Sequence, residues 1–425
     1  MRFVSRRSSL AGEAVMPASK SHTIRAVVIA ALADGGSVIS NPLDSLDTKA
    51  AVEAYRAFGA EIETGGDWRV RGVAGRPRPP EGAVDVANSG TTLYFAAGTA
   101  ALAEGETRIT GDSSIQRRPA GHLLDALRAL GAAARSDRGD DAPPITIRGR
   151  MRGGKTVLRA PTSQYLSSLL LNCPLADADT GIEVLELNEH PYVEMTLDWL
   201  RRQYVTVEHD DGMKSFRVPG RRRYRGFEAR VPGDFSTAAF FLVAAAVTGS
   251  EIRLAGLDMN DAQGDRAVVN MLEKMGVEAR WDGGALVVRG GRVLRAADHD
   301  LNATPDALPA MAVAAACARG TSRLFNVPQA RLKETDRIAV MKTELEKMGA
   351  GTKETPDGLI VEGAGLRGAR LNGRADHRVV MALAVAGLAA DGTTEVDTAE
   401  SAAVTFPGFL NAMRKLGADI EAVED

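Results

Sequence analysis

The sequence predicts an α/β (α+β) protein of two similar domains, each made of three βαβαββ units around buried helices. Two markers that repeat in phase, and one composition pattern, predict it. The first marker is a small-residue helix that ends at a glycine turn and leads into a short strand. Its glycines stand at 35, 105, 181, 249, 320 and 392, with spacings of 70, 76, 68, 71 and 72 residues. The second is an amphipathic helix closed by Gly59-Ala60, Gly131-Ala132, Gly276-Val277, Gly349-Ala350 or Gly417-Ala418; the third copy carries Tyr204-Val205 instead. Glycine suits a helix end because the left-handed conformation is open to a residue without a Cβ. The composition pattern is a run such as 237–247, apolar on all faces, as in a helix buried on every side.

In chain order, the strands after the first marker are Ser37-Val38-Ile39, Thr107-Arg108-Ile109, Ile182-Glu183-Val184, Glu251-Ile252-Arg253, Thr321 to Leu324 and Thr393 to Val396. Helix-period runs follow at 45–58, 115–130, 192–202, 264–275, 335–348 and 406–416. Each leads to an alternating strand such as Ala60-Glu61-Ile62-Glu63, often followed by another such as Trp68-Arg69-Val70-Arg71. A repeat of about 71 residues is too long for the usual solenoids. Six units therefore divide most simply into two groups of three.

Composition agrees and excludes other classes. Of 425 residues, 44% are apolar and 25% charged, which rules out a disordered, collagenous or disulfide-scaffold chain. There are 44 glycines but only 3 Trp, 6 Tyr and 11 Phe, as repeated glycine turns and small-residue helices require. A net charge of −3 gives no sign of a nucleic-acid partner. Cys173 and Cys317 cannot form a disulfide framework, and both fall in predicted buried helices, which fits a reducing cytoplasm. The basic, Ser-rich start has no apolar run behind it, so no signal peptide is expected. The longest apolar runs are far short of the ~20 residues of a membrane span, so no membrane partner is expected.

Gly149 to Thr156 satisfies the phosphate-loop pattern G-x-x-x-x-G-K-[ST], but Thr156 to Pro161 reads as a strand where that loop needs a helix, so a hairpin turn is expected. Stronger signals are polar starts of the apolar helices: Ser19-Lys20-Ser21 with Arg25, Asn88-Ser89-Gly90-Thr91, Thr162-Ser163-Gln164, and Gly233-Asp234. Each alone is an ordinary cap. Together, the free N–H groups of repeated helix starts can converge on anions. Charge is added by Arg117-Arg118-Pro119, Pro305-Asp306, Arg331 to Arg337 and Asp376-His377-Arg378.

On these motifs, with Gln263-Gly264-Asp265 and Thr405-Phe406-Pro407, the chain resembles the enolpyruvyl transferase family in order over essentially its whole length. The resemblance implies an inside-out α/β barrel in each domain. It implies a discontinuous domain of 1–19 with 231–425, an inserted domain of 20–230, and an active site in the cleft between. It implies transfer of the enolpyruvyl group of phosphoenolpyruvate to the 5-hydroxyl of shikimate 3-phosphate, by a cytoplasmic monomer needing no cofactor and no metal. Under it, Ser21 and Arg25 hold the shikimate carboxylate. Thr162, Ser163, Gln329 and Lys333 lie near the 3-phosphate and hydroxyls, with Tyr192 against the ring. Asp306 is the candidate general base. Arg337 and Arg378 bind the phosphoenolpyruvate carboxylate; Arg118, Gln164 and the Gly90 backbone bind its phosphate. Lys20 and Glu334 take part in proton transfer; Lys20 and Gln164 are expected to touch both substrates, and Asp306 to contact shikimate 3-phosphate as well as act on it. These types suit the reaction, because arginine pairs bidentately with carboxylate and phosphate, and addition–elimination needs an acid and a base.

Four positions depart from the family pattern. Val404 stands where it carries lysine, Tyr94 where it carries arginine, Glu189 where it carries a phosphate-binding serine, and Gln329 where asparagine is common. They leave open a paralogue acting on another shikimate-like compound without phosphoenolpyruvate, and a non-catalytic binder of anions on the same fold. The sister activity on a UDP-sugar needs a reactive loop cysteine, which neither Cys173 nor Cys317 offers.

Overall fold

The computed structural model describes residues 1–424. Among them are twelve α-helices: α1 (Lys20–Leu32), α2 (Leu46–Ala57), α3 (Gly90–Ala100), α4 (Gly121–Ala129), α5 (Ser163–Asn172), α6 (His190–Arg202), α7 (Phe235–Thr248), α8 (Ala267–Lys274), α9 (Leu308–Ala316), α10 (Arg337–Lys347), α11 (His377–Gly387) and α12 (Phe409–Lys415). The odd-numbered helices are the small-residue ones, and α3, α9 and α11 bury every residue. The even-numbered helices bury one face, as α6 does with Val193, Leu197 and Leu200. Burying all faces requires neighbours on all sides, and small side chains let those neighbours approach.

The strands form six four-stranded sheets of one plan. Val84–Asp85 runs parallel to Glu106–Thr110, which is antiparallel to Ile145–Arg148, which is antiparallel to Ala133–Ser136. The other five repeat this parallel–antiparallel–antiparallel order. The solvent-facing alternation is plain in Glu61–Glu63, where only Ile62 is buried.

The chain forms two compact units: Met1–Pro17 together with the chain from Pro232 onward, and Ala18–Val231. Each holds three of the sheets. In the first, α7, α9 and α11 pack on one another in one apolar core. In the second, α3 lies against both α1 and α5. The two passages of the chain exchange strands. Glu13–Val15 precedes α1 in sequence yet pairs with Glu251–Ala255 after α7, while Glu228–Arg230 precedes α7 yet pairs with Gly36–Ser40 after α1. Arg2–Arg6 completes the sheet of Thr393–Val396 and Ile420–Val423.

Several local expectations are corrected. The run 115–130 is not one helix. It is a 3-10 turn at Ile115–Arg117 followed by α4, because Pro119 lacks an N–H and biases Arg118 to its extended φ of −73° and ψ of 129°. Run 264–275 likewise begins as a 3-10 turn, Gly264–Arg266, and α12 starts only at Phe409, past Pro407. The strands Ile145–Arg148 and Gly154–Ala160 belong to different sheets, so the segment between them is a passage from sheet to sheet and not a hairpin; no helix opens at Lys155. Cys317 lies just past α9 and is partly exposed, while Cys173 is buried. Tyr204 takes the left-handed φ of 59° at the helix end where the other five copies use glycine. No helix among the described residues is long and apolar enough to cross a membrane.

Candidate functional site

In the unit Ala18–Val231 the polar residues gather at the N-termini of α1, α3 and α5. Ser19 caps α1, accepting the His22 N–H. Lys20, the first helical residue, sets its Nζ 2.9 Å from buried Asp47 on α2. Arg25 lies one turn on. Its Nε donates to Thr196 Oγ1 at 2.9 Å, and its two Nη atoms donate to the carbonyls of Ser21 at 3.0 Å and Tyr192 at 2.9 Å. The guanidinium also stands 5.4 Å from the Phe95 ring centroid. Burial pushes Arg25 down to about 10, with Tyr192 and Glu189 opposing the shift, so it stays cationic at neutral pH. Thr196 passes the link on to Ser167 of α5 at 3.0 Å.

At α3, Ser89 is the cap and Gly90 the first residue. A Cβ on Gly90 would lie 2.9 Å from Arg118 Cζ and nearer still to its Nη1, so only glycine admits the arginine against this helix start. Gln164 Nε2 donates to Thr91 Oγ1 at 3.1 Å, which ties α5 to the same place. Tyr94 is not a substitute cation. Its hydroxyl, pushed up to about 12 by burial, donates to the Pro119 carbonyl at 2.9 Å, and Tyr165 donates to the same oxygen. The two rings meet edge to face at 4.8 Å. Tyr94 thus anchors the segment that carries Arg118.

At α5, Thr162 is the cap. One carboxylate oxygen of Glu189 takes three hydrogen bonds there: from Ser163 N at 3.1 Å, Ser163 Oγ at 2.7 Å and Thr162 Oγ1 at 3.1 Å. Tyr192, in the first turn of α6, is half-buried.

In the other unit, Asp306, Lys333, Glu334, Arg337 and Arg378 form one network. Pro305–Ala307 is a 3-10 turn that presents Asp306 at the start of α9. Arg337 opens α10 and Asp376 caps α11, accepting the N–H groups of Arg378 and Val379. Arg337 donates Nε to Asp376 at 2.8 Å, Nη1 to Asp306 at 2.8 Å and Nη2 to Glu334 at 2.6 Å. Asp306 also meets Arg378 Nη2 at 3.0 Å and Lys333 Nζ at 3.9 Å. Burial by itself would lower the Arg337 pKa, but Asp376, Glu334 and Asp306 outweigh it and raise it. Arg378 is raised in the same way, against its burial, chiefly by Asp306. Glu334, Asp376 and His377 could converge on a metal ion, but Arg337 already bonds both carboxylates as their cation.

The remaining predicted residues have structural partners. Gln329 donates to the Asn302 carbonyl at 3.0 Å. Gln263 accepts the Phe235 N–H at 2.9 Å, Asp234 accepts from Thr237 and Asp265 from Ser236, so these three build the start of α7. Val404 is buried in the 3-10 segment Ala399–Val404 and adds no charge. Sequence reasoning missed Asp47 and Thr196, because a pairing across 27 or 171 residues leaves no local pattern. The neighbouring Ser45 and Thr48 form a capping box, which was the one visible sign of ordered structure beside Asp47.

The family profile described as EPSP synthase (3-phosphoshikimate 1-carboxyvinyltransferase) matches residues 4–413. The chain is 48% identical over 418 residues to the 3-phosphoshikimate 1-carboxyvinyltransferase of Ruminiclostridium cellulolyticum, covering 98% of this chain and 99% of that one. It is 49% identical over 420 residues to the enzyme of that name from Acetivibrio thermocellus, covering 99% of each. Among solved structures, the EPSP synthase of Acinetobacter baumannii superposes with a TM-score of 0.83 at 28% identity, over 100% of both chains.

Proposed function

The chain belongs to the EPSP synthase family, and from that premise we propose that it transfers the enolpyruvyl group of phosphoenolpyruvate to the 5-hydroxyl of shikimate 3-phosphate, releasing phosphate. The observation that carries the reading is the buried network of Asp306, Glu334, Arg337 and Arg378, in which two carboxylates lie directly on two arginines.

The reaction proceeds by addition and elimination. Asp306 takes the proton of the 5-hydroxyl as its oxygen bonds to C2 of phosphoenolpyruvate, while C3 gains a proton and becomes a methyl group. The tetrahedral adduct then loses phosphate from C2 and a proton from C3, which restores the double bond in the enol ether. Glu334 and Lys20 carry the proton traffic at C3 and at the departing phosphate. Arg337 and Arg378 bind the phosphoenolpyruvate carboxylate. Arg118, Gln164 and the Gly90 N–H hold the phosphate, the N–H at the positive end of α3. Arg25 and Ser21 hold the carboxylate of the other substrate, Tyr192 lies along its ring, and Thr162, Ser163, Gln329 and Lys333 serve its phosphate and hydroxyls. The enzyme works as a cytoplasmic monomer. Burial pushes both thiols up to about 12, which keeps them out of the chemistry.

Purified protein incubated with both substrates is expected to release phosphate and form a product whose mass equals the two substrates less phosphoric acid. No product at millimolar phosphoenolpyruvate would refute the reading. Binding of shikimate 3-phosphate without turnover would make the chain an anion-binding protein.

A further inference from the structure

Glu189 is the one departure from the family pattern that introduces a charge of the wrong sign for a phosphate. Its placement is specific. The side chain is 2% exposed, and one oxygen collects a backbone N–H and two hydroxyls at the first turn of α5. Those donors are what a helix start offers to an oxygen of a phosphate. The residue that reaches them caps α6 with φ of 62° and ψ of 43°, a left-handed conformation uncommon for a residue with a side chain. The backbone turn therefore directs the carboxylate into α5 and away from solvent.

We propose that Glu189 is a specificity-determining residue: a counter-anion built into the chain, which fills the phosphate seat at Thr162 and Ser163 and which the 3-phosphate of the substrate must displace. The inference rests on the proposed reaction for the identity of the substrate, but not for the existence of the seat. The carboxylate satisfies donors that would otherwise be buried without an acceptor. When the phosphate arrives it takes over those donors, and Glu189 has to leave, since two anions at hydrogen-bond distance of one another repel. Part of the phosphate's binding free energy is spent on this exchange. Unphosphorylated shikimate offers only a neutral hydroxyl there, a weaker competitor for the donors than a charged carboxylate. Glu189 therefore narrows the preference for the phosphorylated compound over the unphosphorylated one.

Two variants test this. Glu189→Ser opens the seat; Glu189→Gln keeps the length and one acceptor oxygen but removes the charge. In steady-state kinetics both are expected to lower KM for shikimate 3-phosphate by about tenfold or more, the value of one charged hydrogen bond no longer contested. The change in KM should exceed the change in kcat, and the ratio of kcat/KM for the phosphorylated over the unphosphorylated substrate should rise by a similar factor. An unchanged or raised KM for shikimate 3-phosphate in both variants would overturn the proposal and leave Glu189 a structural cap of α5. Inorganic phosphate provides the independent arm, read by calorimetry on wild type and both variants. Binding about tenfold tighter to either variant supports the seat even if the wild type shows no turnover, in which case the proposed reaction fails and this inference stands. Equal phosphate binding in all three, with thermal midpoints confirming folded protein, overturns it.

Discussion

Replacing Arg337 with methionine removes the centre of the buried charge network and little else. The side chain is 1% exposed, and methionine retains its apolar stem. The arginine makes four hydrogen bonds to three carboxylates: two to Asp376, one to Asp306 and one to Glu334. Without it, Asp306 keeps Arg378 and Lys333, while Asp376, which is fully buried, loses the ion pair that Arg337 gives it. Removing one partner of a buried ion pair costs about 3–5 kcal/mol. Coulomb's law agrees in size, since unit charges 4 Å apart at an effective dielectric of 20 interact by about 4 kcal/mol. In a unit of some 200 residues each kcal/mol moves the midpoint by about 2–4 °C, so Arg337→Met should lower Tm by roughly 6–20 °C in scanning calorimetry. Adding Asp376→Asn to this variant removes the stranded charge and should recover at least half of the loss. Activity should not return with it, because the arginine proposed for the phosphoenolpyruvate carboxylate is still missing. A Tm drop below about 3 °C, or a double variant no more stable than the single, would refute the claim that the network holds the fold through charge balance.

Three further outcomes follow from single residues. Gly90→Ala should leave the fold intact but push the Arg118 guanidinium aside, and half the value of a charged hydrogen bond predicts KM for phosphoenolpyruvate raised about 3- to 15-fold; an unchanged KM would separate Arg118 from that substrate. Tyr204→Gly should stabilise the protein by up to about 1 kcal/mol in thermal denaturation, since the left-handed penalty of ~1–2 kcal/mol exceeds the extra chain entropy of glycine, and the 85% exposed ring has few contacts to lose. His299 is buried, and that burial, helped by the charge of Lys274, lowers its pKa; the folded protein therefore keeps it neutral while the unfolded chain binds a proton near pH 6.5. The unfolded state then binds more protons, so this contribution is present above the unfolded pKa and is lost as pH falls through it toward the folded value; denaturation midpoints of His299→Phe at pH 7 and pH 5 should differ less than those of the wild type.

How much of this was legible depended on the range of the interaction. The repeat could be read because every unit solves the same local problem, ending a helix and turning into a strand, and the residues that solve it are adjacent. Tyr204 shows the limit from the other side: only its phase with five glycines marks it as a left-handed residue, and nothing in a tyrosine does. The helix starts at Ser19, Ser89, Thr162 and Asp376 were visible as caps. What those caps face was not. Lys20 with Asp47, Arg25 with Thr196, and Asp306 with Arg337 join residues 27, 171 and 31 positions apart, and such pairs obey no spacing rule. The exchange of Glu13–Val15 and Glu228–Arg230 between sheets was hidden for a related reason, since a three-residue strand reads the same wherever it pairs. Glu189 stands out in the sequence as a departure from the family pattern, but its turn into α5 follows from a backbone conformation the sequence does not announce.

These pairings together change what binding means for this protein. An unpaired buried guanidinium or ammonium costs several kcal/mol, so buried cations in either unit cannot simply wait open for anions. The chain supplies its own counter-ions instead: Asp47 for Lys20, Asp306 for Arg378, and three carboxylates for Arg337. A ligand anion arriving there exchanges partners, and its affinity is the difference between its own hydrogen bonds and those of the carboxylate it displaces. A phosphate, with up to two charges and three free oxygens, wins such an exchange more readily than a carboxylate does. Arg25 is the exception. All its hydrogen bonds run to neutral oxygens, of Thr196, Ser21 and Tyr192, and the lowering of its pKa to about 10 records a charge that is desolvated more than it is balanced. A ligand carboxylate placed there gains an ion pair without first breaking one, which is the physical reason to propose Arg25 for the carboxylate of the alicyclic substrate, whereas the phosphoenolpyruvate carboxylate proposed for Arg337 and Arg378 has to compete with Asp306 and Glu334.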